Sequence, residues 1–400
     1  MNYDFETVIR RHGTGSEKWD EMKREIPGIG DDVIPFSVAD MELKNPPEII
    51  EGLKAFLDKS ILGYAKPTEE FKDAVCRWMK HRHGWEIKKD WFLYTHGVVD
   101  AFYIAIKAFT EEKDGVMLMT PVYYPMYKGI EINHRTLVET KLVRKGTRYE
   151  IDFEDFERKA SLPETKMLIL CNPHNPTGRV WTRAELERIG EICLENHVLV
   201  VSDEIHFDLI MPGFEHTVFA SISKEFADNS VICTAPSKTF NLAGLQTSNI
   251  VIPNEKLRAR YQEEQQTASG SGRCNILGYE ACRIAYESCE DWLEQVIALV
   301  DMNRQVVKDY LREYLPGVTM MDMEGTYLAW IDFNGLGLDC KELERIMRRE
   351  GQLFFDEGYI FGKAGEGFER WNLACPTDYV RAGLERMRKA LAGVAEGRGN

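Results

Sequence analysis

The sequence predicts an α/β fold, with a large domain built on a mainly parallel mixed sheet covered by helices and a smaller α+β domain following it. Three observations lead there. Short runs rich in Val, Ile, Leu and Met recur at residues 116–120, 166–171, 198–202 and 231–234, with lengths and compositions suited to strands buried on both faces. Amphipathic helical segments lie between them over residues 90–250, which calls for right-handed crossovers and puts ligands at the strands' carboxyl ends. After about residue 290 this rhythm loosens.

A helix over residues 101–109 follows the turn Thr95-His96-Gly97-Val98-Val99-Asp100. Another begins at Thr182, whose hydroxyl can cap it while Glu185 reaches back; Leu186, Ile189, Ile192 and Cys193 then form one apolar face, and it ends near Asn196. In the last third the pattern gives a long helix over 292–314, a strand over 326–333 and a helix over 340–349 stopped by Gly351. A final helix carries Val380, Leu384, Met387 and Leu391 on one face, and the tail at 396–400 is expected to fray.

Composition narrows the function. Hydrophobic residues make up 44% and charged ones 29% of 400 residues, which suits a globular chain and excludes disorder. Fifty basic against 65 acidic residues give a net charge of −15, so a nucleic-acid partner is not expected. No window approaches the roughly 18 apolar residues of a spanning helix, and Met1-Asn2-Tyr3-Asp4-Phe5-Glu6 lacks the features of a leader, so no membrane is expected and a cytoplasmic setting is. Nine cysteines without a Cys-x-x-Cys pair read as reduced core residues. His81-Arg82-His83 has no third ligand at finger spacing, so it reads as a solvated helix end and no metal is expected.

Four motifs stand at strand ends. The turn holding Gly97, Val98 and Val99 presents free backbone N–H groups and a positive helix end, a cradle for an anion. Cys171-Asn172-Pro173-His174-Asn175-Pro176 fixes Asn175 in a rigid loop, although an ordinary Pro-rich turn would look alike. Val200-Val201-Ser202-Asp203 puts an acid at a buried strand end, where it needs a cationic partner. Thr234-Ala235-Pro236-Ser237-Lys238 puts a lysine past another strand, where burial lowers its pKa and frees the amine to condense with an aldehyde. Taken singly Lys238 is an ordinary surface lysine. Taken together, an anion cradle, a rigid Asn, a buried Asp and an amine match pyridoxal 5'-phosphate (PLP).

At this point the chain resembles the fold-type I, aspartate-aminotransferase-like PLP enzymes, and within them the MalY/PatB branch of cysteine-S-conjugate β-lyases. The resemblance covers nearly the whole chain and rests on Gly13-Thr14-Gly15-Ser16-Glu17-Lys18-Trp19-Asp20, Ser37-Val38-Ala39-Asp40-Met41-Glu42, Gly63-Tyr64, Ser202-Asp203-Glu204-Ile205-His206 and Ser237-Lys238-Thr239-Phe240-Asn241-Leu242-Ala243-Gly244-Leu245. It implies an N-terminal arm (1–48), a large cofactor domain (49–288) and a small C-terminal domain (289–400). It also implies that Lys238 holds the cofactor, that Asp203 pairs with its ring nitrogen, that Tyr123 stacks on the ring and serves catalysis, and that Gly97, Val98, Val99, Asn175, His206 and Ser237 complete the cofactor site. Tyr64 is implied to reach the neighbouring subunit's phosphate, making the protein a homodimer. Arg370 is implied to grip the substrate α-carboxylate, with Asn175, Tyr64 and Ala39 nearby.

Arg370 has an independent case, since a planar guanidinium offers a carboxylate two parallel hydrogen bonds; a salt-bridged surface arginine is the alternative. Two positions depart from the aminotransferase pattern. Gln246 stands where those enzymes often carry a phosphate-binding arginine, so that clamp is weaker or supplied elsewhere. Arg273 in Ser269-Gly270-Ser271-Gly272-Arg273 is one candidate, although a solvated arginine in a Gly/Ser loop is the preferred reading, and His206 stands where they place a tyrosine. The implied reaction is α,β-elimination from an L-cysteine thioether such as cystathionine. An aminotransferase is the alternative, and a PLP-binding regulatory protein a more distant one.

Overall fold

The computed structural model describes residues 3–30, 32–269 and 272–396. Its main sheet has seven strands in the spatial order Phe92–Thr95, Ser248–Val251, Ser230–Thr234, Leu199–Asp203, Thr165–Cys171, Gly115–Thr120 and Thr136–Lys141. The four expected strands are all present, with ends displaced by one residue at most. They are legible because they are buried on both faces: every residue of Gly115–Thr120, Leu199–Asp203 and Ser230–Thr234 is buried.

The five strands from Ser230–Thr234 to Thr136–Lys141 run parallel, and Ser248–Val251 runs antiparallel to both its neighbours. Sequence rhythm did not show this reversal. The chain from Thr234 returns to the sheet through a short turn carrying Lys238 and a left-handed Gln246 at φ 44°, without the covering helix of a parallel crossover. The helix Val98–Phe109 begins three residues earlier than expected, directly after Gly97. Arg183–Glu195 has the expected reciprocal cap between Thr182 and Glu185.

A second, four-stranded antiparallel sheet runs Thr319–Met320, Leu328–Asp332, Phe368–Asn372 and Asp356–Glu357. The helices Glu290–Tyr314 and Thr377–Glu396 accompany it, and Val380, Leu384, Met387 and Leu391 are buried as their spacing predicts. The expected helix at 340–349 is α-helical only over Cys340–Arg345 and widens into a π turn over Ile346–Glu350 before Gly351. Of the tail expected to fray at 396–400, Glu396 is the last residue of the helix Thr377–Glu396, and 397–400 lie outside the described residues. None of the described helices is long and apolar enough to cross a membrane.

His81-Arg82-His83 ends the helix Glu69–His83, as expected, but only His81 is solvated. The His83 side chain is buried against the Phe207 ring, with Nε2 2.7 Å from Asp208, because this helix end docks on the segment after Asp203. All nine cysteines are free.

The N-terminal segment is tied across the sheet by charge. Lys18, almost fully buried, meets Asp40 at 2.8 Å and Glu42 at 2.7 Å, while Arg11 meets the same two carboxylates at 2.8 and 2.6 Å. The Trp19 indole N–H donates to Glu42 as well. Burial alone would raise the Asp40 carboxyl, but Lys18 and Arg11 hold it down at about 2. From the other side Asn241 accepts from the Met41 N–H and donates to the Met41 and Leu43 carbonyls, and Asn372 donates to those of Val38 and Asp40. Residues 37–43 thus form a strap fixed at both edges.

Candidate active site

The strap closes a cavity of about 250 Å³ above the carboxyl ends of three neighbouring strands. Register explains the convergence: Cys171 lies opposite Asp203, and Asp203 opposite Cys233, so the segments that follow all open on one side of the sheet. Gly97, Val98, Val99, Tyr123, Asn175, Asp203, His206, Ser237, Lys238 and Ala39, all expected from the sequence, line this one cavity.

Lys238 sits on the helical turn Pro236–Thr239, and its amine donates to the Ala39 carbonyl at 2.7 Å. Burial lowers its pKa to about 8, reinforced by Arg370 and Lys18 and opposed by Asp40 and Asp203. A large share of the amine is therefore neutral and nucleophilic near pH 8. The Ala39 carbonyl also accepts from the Tyr327 hydroxyl at 2.8 Å, which fixes it against the lysine.

Asp203 is buried at its strand end, and its Oδ1 accepts only the Ile205 N–H at 3.2 Å. Among the described residues it has no ion-pair partner within 4 Å. Burial raises its pKa to about 7 against the pull of that N–H and of Lys238. A carboxyl held in this way, at the wall of a cavity, suits a ligand that brings a cationic N–H. His206 is buried beside it, with its imidazole held well below the usual pKa by burial and by Lys238 and Arg370, and with Nδ1 lacking a partner among the described residues.

At one end of the cavity the helix Val98–Phe109 begins at Gly97 with no side-chain cap, so the N–H groups of its first turn are open to an anion. Gln246, Thr247 and Ser248 stand in the same lining, and the buried Ser248 hydroxyl has no partner among the described residues. Arg273 is not there: it lines a separate crevice with Gln265 and Tyr94, on the far side of His96 and Asp100. The substitution of Arg273 for the missing arginine is therefore not borne out within one chain. Thr247 and Ser248 went unread because their placement depends on the antiparallel return of the following strand.

At the other end Arg370 is buried on the strand Phe368–Asn372, which excludes the surface-arginine alternative. Its Nη1 donates to Asn175 Oδ1 at 2.9 Å, its Nη2 pairs with Asp356, and its guanidinium lies 4.8 Å from the Phe361 ring centre. The Asn175 loop is itself fixed, since the His174 ring meets the Pro121 carbonyl at 2.9 Å and the Asn175 N–H donates to the Cys171 sulfur. Tyr123 forms part of the wall, and burial raises its phenol well above the usual value, so it keeps its proton. Val38, a β-branched residue, adopts a left-handed φ of 56°, a conformation costing roughly 1–3 kcal/mol. The Asp356 carboxylate holds its N–H at 2.9 Å. Neither Asp356 nor Val38 was singled out for a role in the site from sequence; Asp356 lies in a two-residue strand too short to announce itself.

Tyr64 does not line the cavity of its own chain. It stands fully exposed in an irregular segment beside the exposed Ile61 and Leu62.

A mixed sheet with an amine, a carboxyl and a helix end gathered at its strand tips defines the class: the chain matches the aminotransferase class I and II family over residues 31–387 and belongs to it. Among named relatives, it is 44% identical to the cystathionine β-lyase PatB of Bacillus subtilis over 98% of this chain and 100% of the relative. It is 29% identical to the protein MalY of Escherichia coli, again over 98% of this chain and 100% of the relative. Among solved structures, it superposes on cystalysin from Treponema denticola, which contains a PLP cofactor, with a TM-score of 0.97 and 48% identity, over 98% of this chain and 100% of that one.

The raised Asp203 pKa has a consequence for stability. Its folded value of about 7 lies above an unfolded value near 4, so the folded chain binds the extra proton between those limits, and stability falls as pH rises through that window. In ligand-free protein, Asp203→Asn is expected to be more stable than the wild type at pH 8 by on the order of 4 kcal/mol, the difference vanishing below about pH 4. Urea denaturation at the two pH values reads this directly; equal stabilities at pH 8 would contradict it.

Proposed function

We propose that this protein is a PLP-dependent carbon–sulfur β-lyase that cleaves L-cystathionine or a related L-cysteine thioether to a thiol, pyruvate and ammonia. One observation carries the reading: a nucleophilic amine, a buried carboxyl without a counter-ion and an uncapped helix N-terminus share one cavity. PLP has an aldehyde, a ring nitrogen and a phosphate for these three places, and the unpartnered His206 Nδ1 and Ser248 hydroxyl are further polar atoms it can satisfy. When bound, it supplies a covalent hold on the substrate amine and a sink for the electron pair released at Cα.

The residues then take definite roles. Lys238 binds the cofactor, and its amine, of low pKa, is the base that takes the Cα proton. Asp203 keeps the ring nitrogen protonated, with Gly97, Val98, Val99 and Ser237 at the phosphate and Tyr123, Asn175 and His206 at the ring. Arg370, with Asn175 beside it and Ala39 in the lining, orients the substrate by its α-carboxylate. The Cβ–S bond breaks with its electrons leaving on sulfur. A thiol of pKa near 8.5 departs with little acid assistance, so a hydrogen bond from the Tyr123 hydroxyl or a water suffices. Water then converts the unsaturated amino acid left behind to pyruvate and ammonia.

Transamination would use the same Lys238, Asp203 and Arg370; it ranks second because the full-length likeness at 44% identity is to a protein named as a lyase. We also propose that the protein works as a homodimer in which Tyr64 completes the neighbouring site. The exposure of Ile61, Leu62 and Tyr64 in one row supports this, since such a run on a free surface invites cover.

Purified holoenzyme given L-cystathionine is expected to release pyruvate, measured by coupling to lactate dehydrogenase, without needing a keto acid. Glutamate formation from 2-oxoglutarate with no pyruvate would reverse the ranking. Sedimentation at micromolar protein is expected to show a dimer; a monomer with full activity would remove Tyr64 from the site.

A further inference from the structure

Arg370 is held more elaborately than a carboxylate anchor alone requires. In the small sheet Asp356 is the direct register partner of Arg370, so the two side chains rise together from one face, and Trp330 flanks Arg370 on the other strand. The Asp356 Oδ2 that pairs with Arg370 Nη2 also accepts the Val38 N–H. Asn175 takes Nη1, while Nε is buried with no acceptor among the described residues and each terminal nitrogen keeps a second N–H. The guanidinium is thus pinned at both terminal nitrogens and retains N–H groups for one more carboxylate.

We infer that Asp356 is a positioning residue of the reaction: it fixes the plane of the Arg370 guanidinium and shares its charge, so that a substrate carboxylate is aligned without being held too tightly. The inference rests on Arg370 being the carboxylate anchor. A carboxylate entering this buried space meets a charge pair close to neutral, with a like charge on its far side, rather than a bare cation. Asp356 therefore trades affinity for orientation. The same oxygen ties the anchor to the strap, because Val38 leads directly into Ala39, whose carbonyl receives the Lys238 amine. One carboxylate places the group that orients the substrate and steadies the carbonyl that receives the reacting amine.

The test uses Asp356→Asn, Asp356→Glu and Arg370→Ala holoenzymes, with propionate as the probe, measured by calorimetry and as a competitive inhibitor of pyruvate formation. Asp356→Asn keeps an oxygen for the Val38 N–H and removes only the charge. It is expected to bind propionate about fivefold tighter or more. Its kcat should fall about tenfold without a rise in KM. Asp356→Glu should hold propionate affinity within about twofold of the wild type while losing kcat, since charge is kept and geometry is not. Unchanged or weaker propionate binding in the Asn variant, or a Glu variant that shifts as far as Asn, would overturn the inference. Arg370→Ala should lose at least about tenfold in propionate affinity. No loss there counts against the anchor itself, whereas a loss there with no change at Asp356 counts against this inference alone.

Discussion

Removal of water from two ionisable groups at adjacent strand ends is the constraint on which the rest of the site depends. Lys238 and Asp203 are each pushed toward neutrality by burial, the amine to about 8 and the carboxyl to about 7. In water the amine would be charged and unreactive at neutral pH, while the carboxyl, well solvated, would have no need of the cationic partner that burial makes it require. Closure by the strap creates this dryness, and the strap is itself held by four charges, Arg11, Lys18, Asp40 and Glu42, that neutralise one another.

This arrangement gives the N-terminal motifs a physical meaning. Gly13 to Asp20 and Ser37 to Glu42 carry the resemblance to the β-lyases without containing a reacting group. Lys18 and Trp19 from the first motif meet Asp40 and Glu42 from the second, and between them they aim the Ala39 carbonyl at Lys238. The left-handed Val38 stands where the strap is tied to the Arg370–Asp356 pair, one residue before the carbonyl that receives the Lys238 amine. Such strain persists only where neighbours over-determine it, here Asp356 on its N–H and Asn372 on its carbonyl.

Much of this was legible in the sequence, for reasons that differ by residue. The central strands were readable because burial on both faces leaves continuous apolar runs, and the residues at their ends inherited that clarity: Asn175, Asp203 and Lys238 all line the cavity. Arg370 was found from the chemistry of a guanidinium and from resemblance, although its burial was not visible. Other features depend on pairing between distant segments. The antiparallel return that delivers Thr247 and Ser248, the two-residue strand bearing Asp356 and the docking of His83 on Asp208 have no local periodicity to reveal them. Arg273 does not line the cavity of its own chain; it lies in a separate crevice with Gln265 and Tyr94, which a loop sequence could not announce.

The central claim is that the Lys238 amine is the group that joins the cofactor. Borohydride reduction of the holoenzyme, followed by peptide mass mapping, tests it without reference to turnover. A pyridoxyl mass increment on the peptide containing Lys238, and on no other lysine, is the result this account predicts. An unmodified Lys238, or a label on a different side chain, would contradict it.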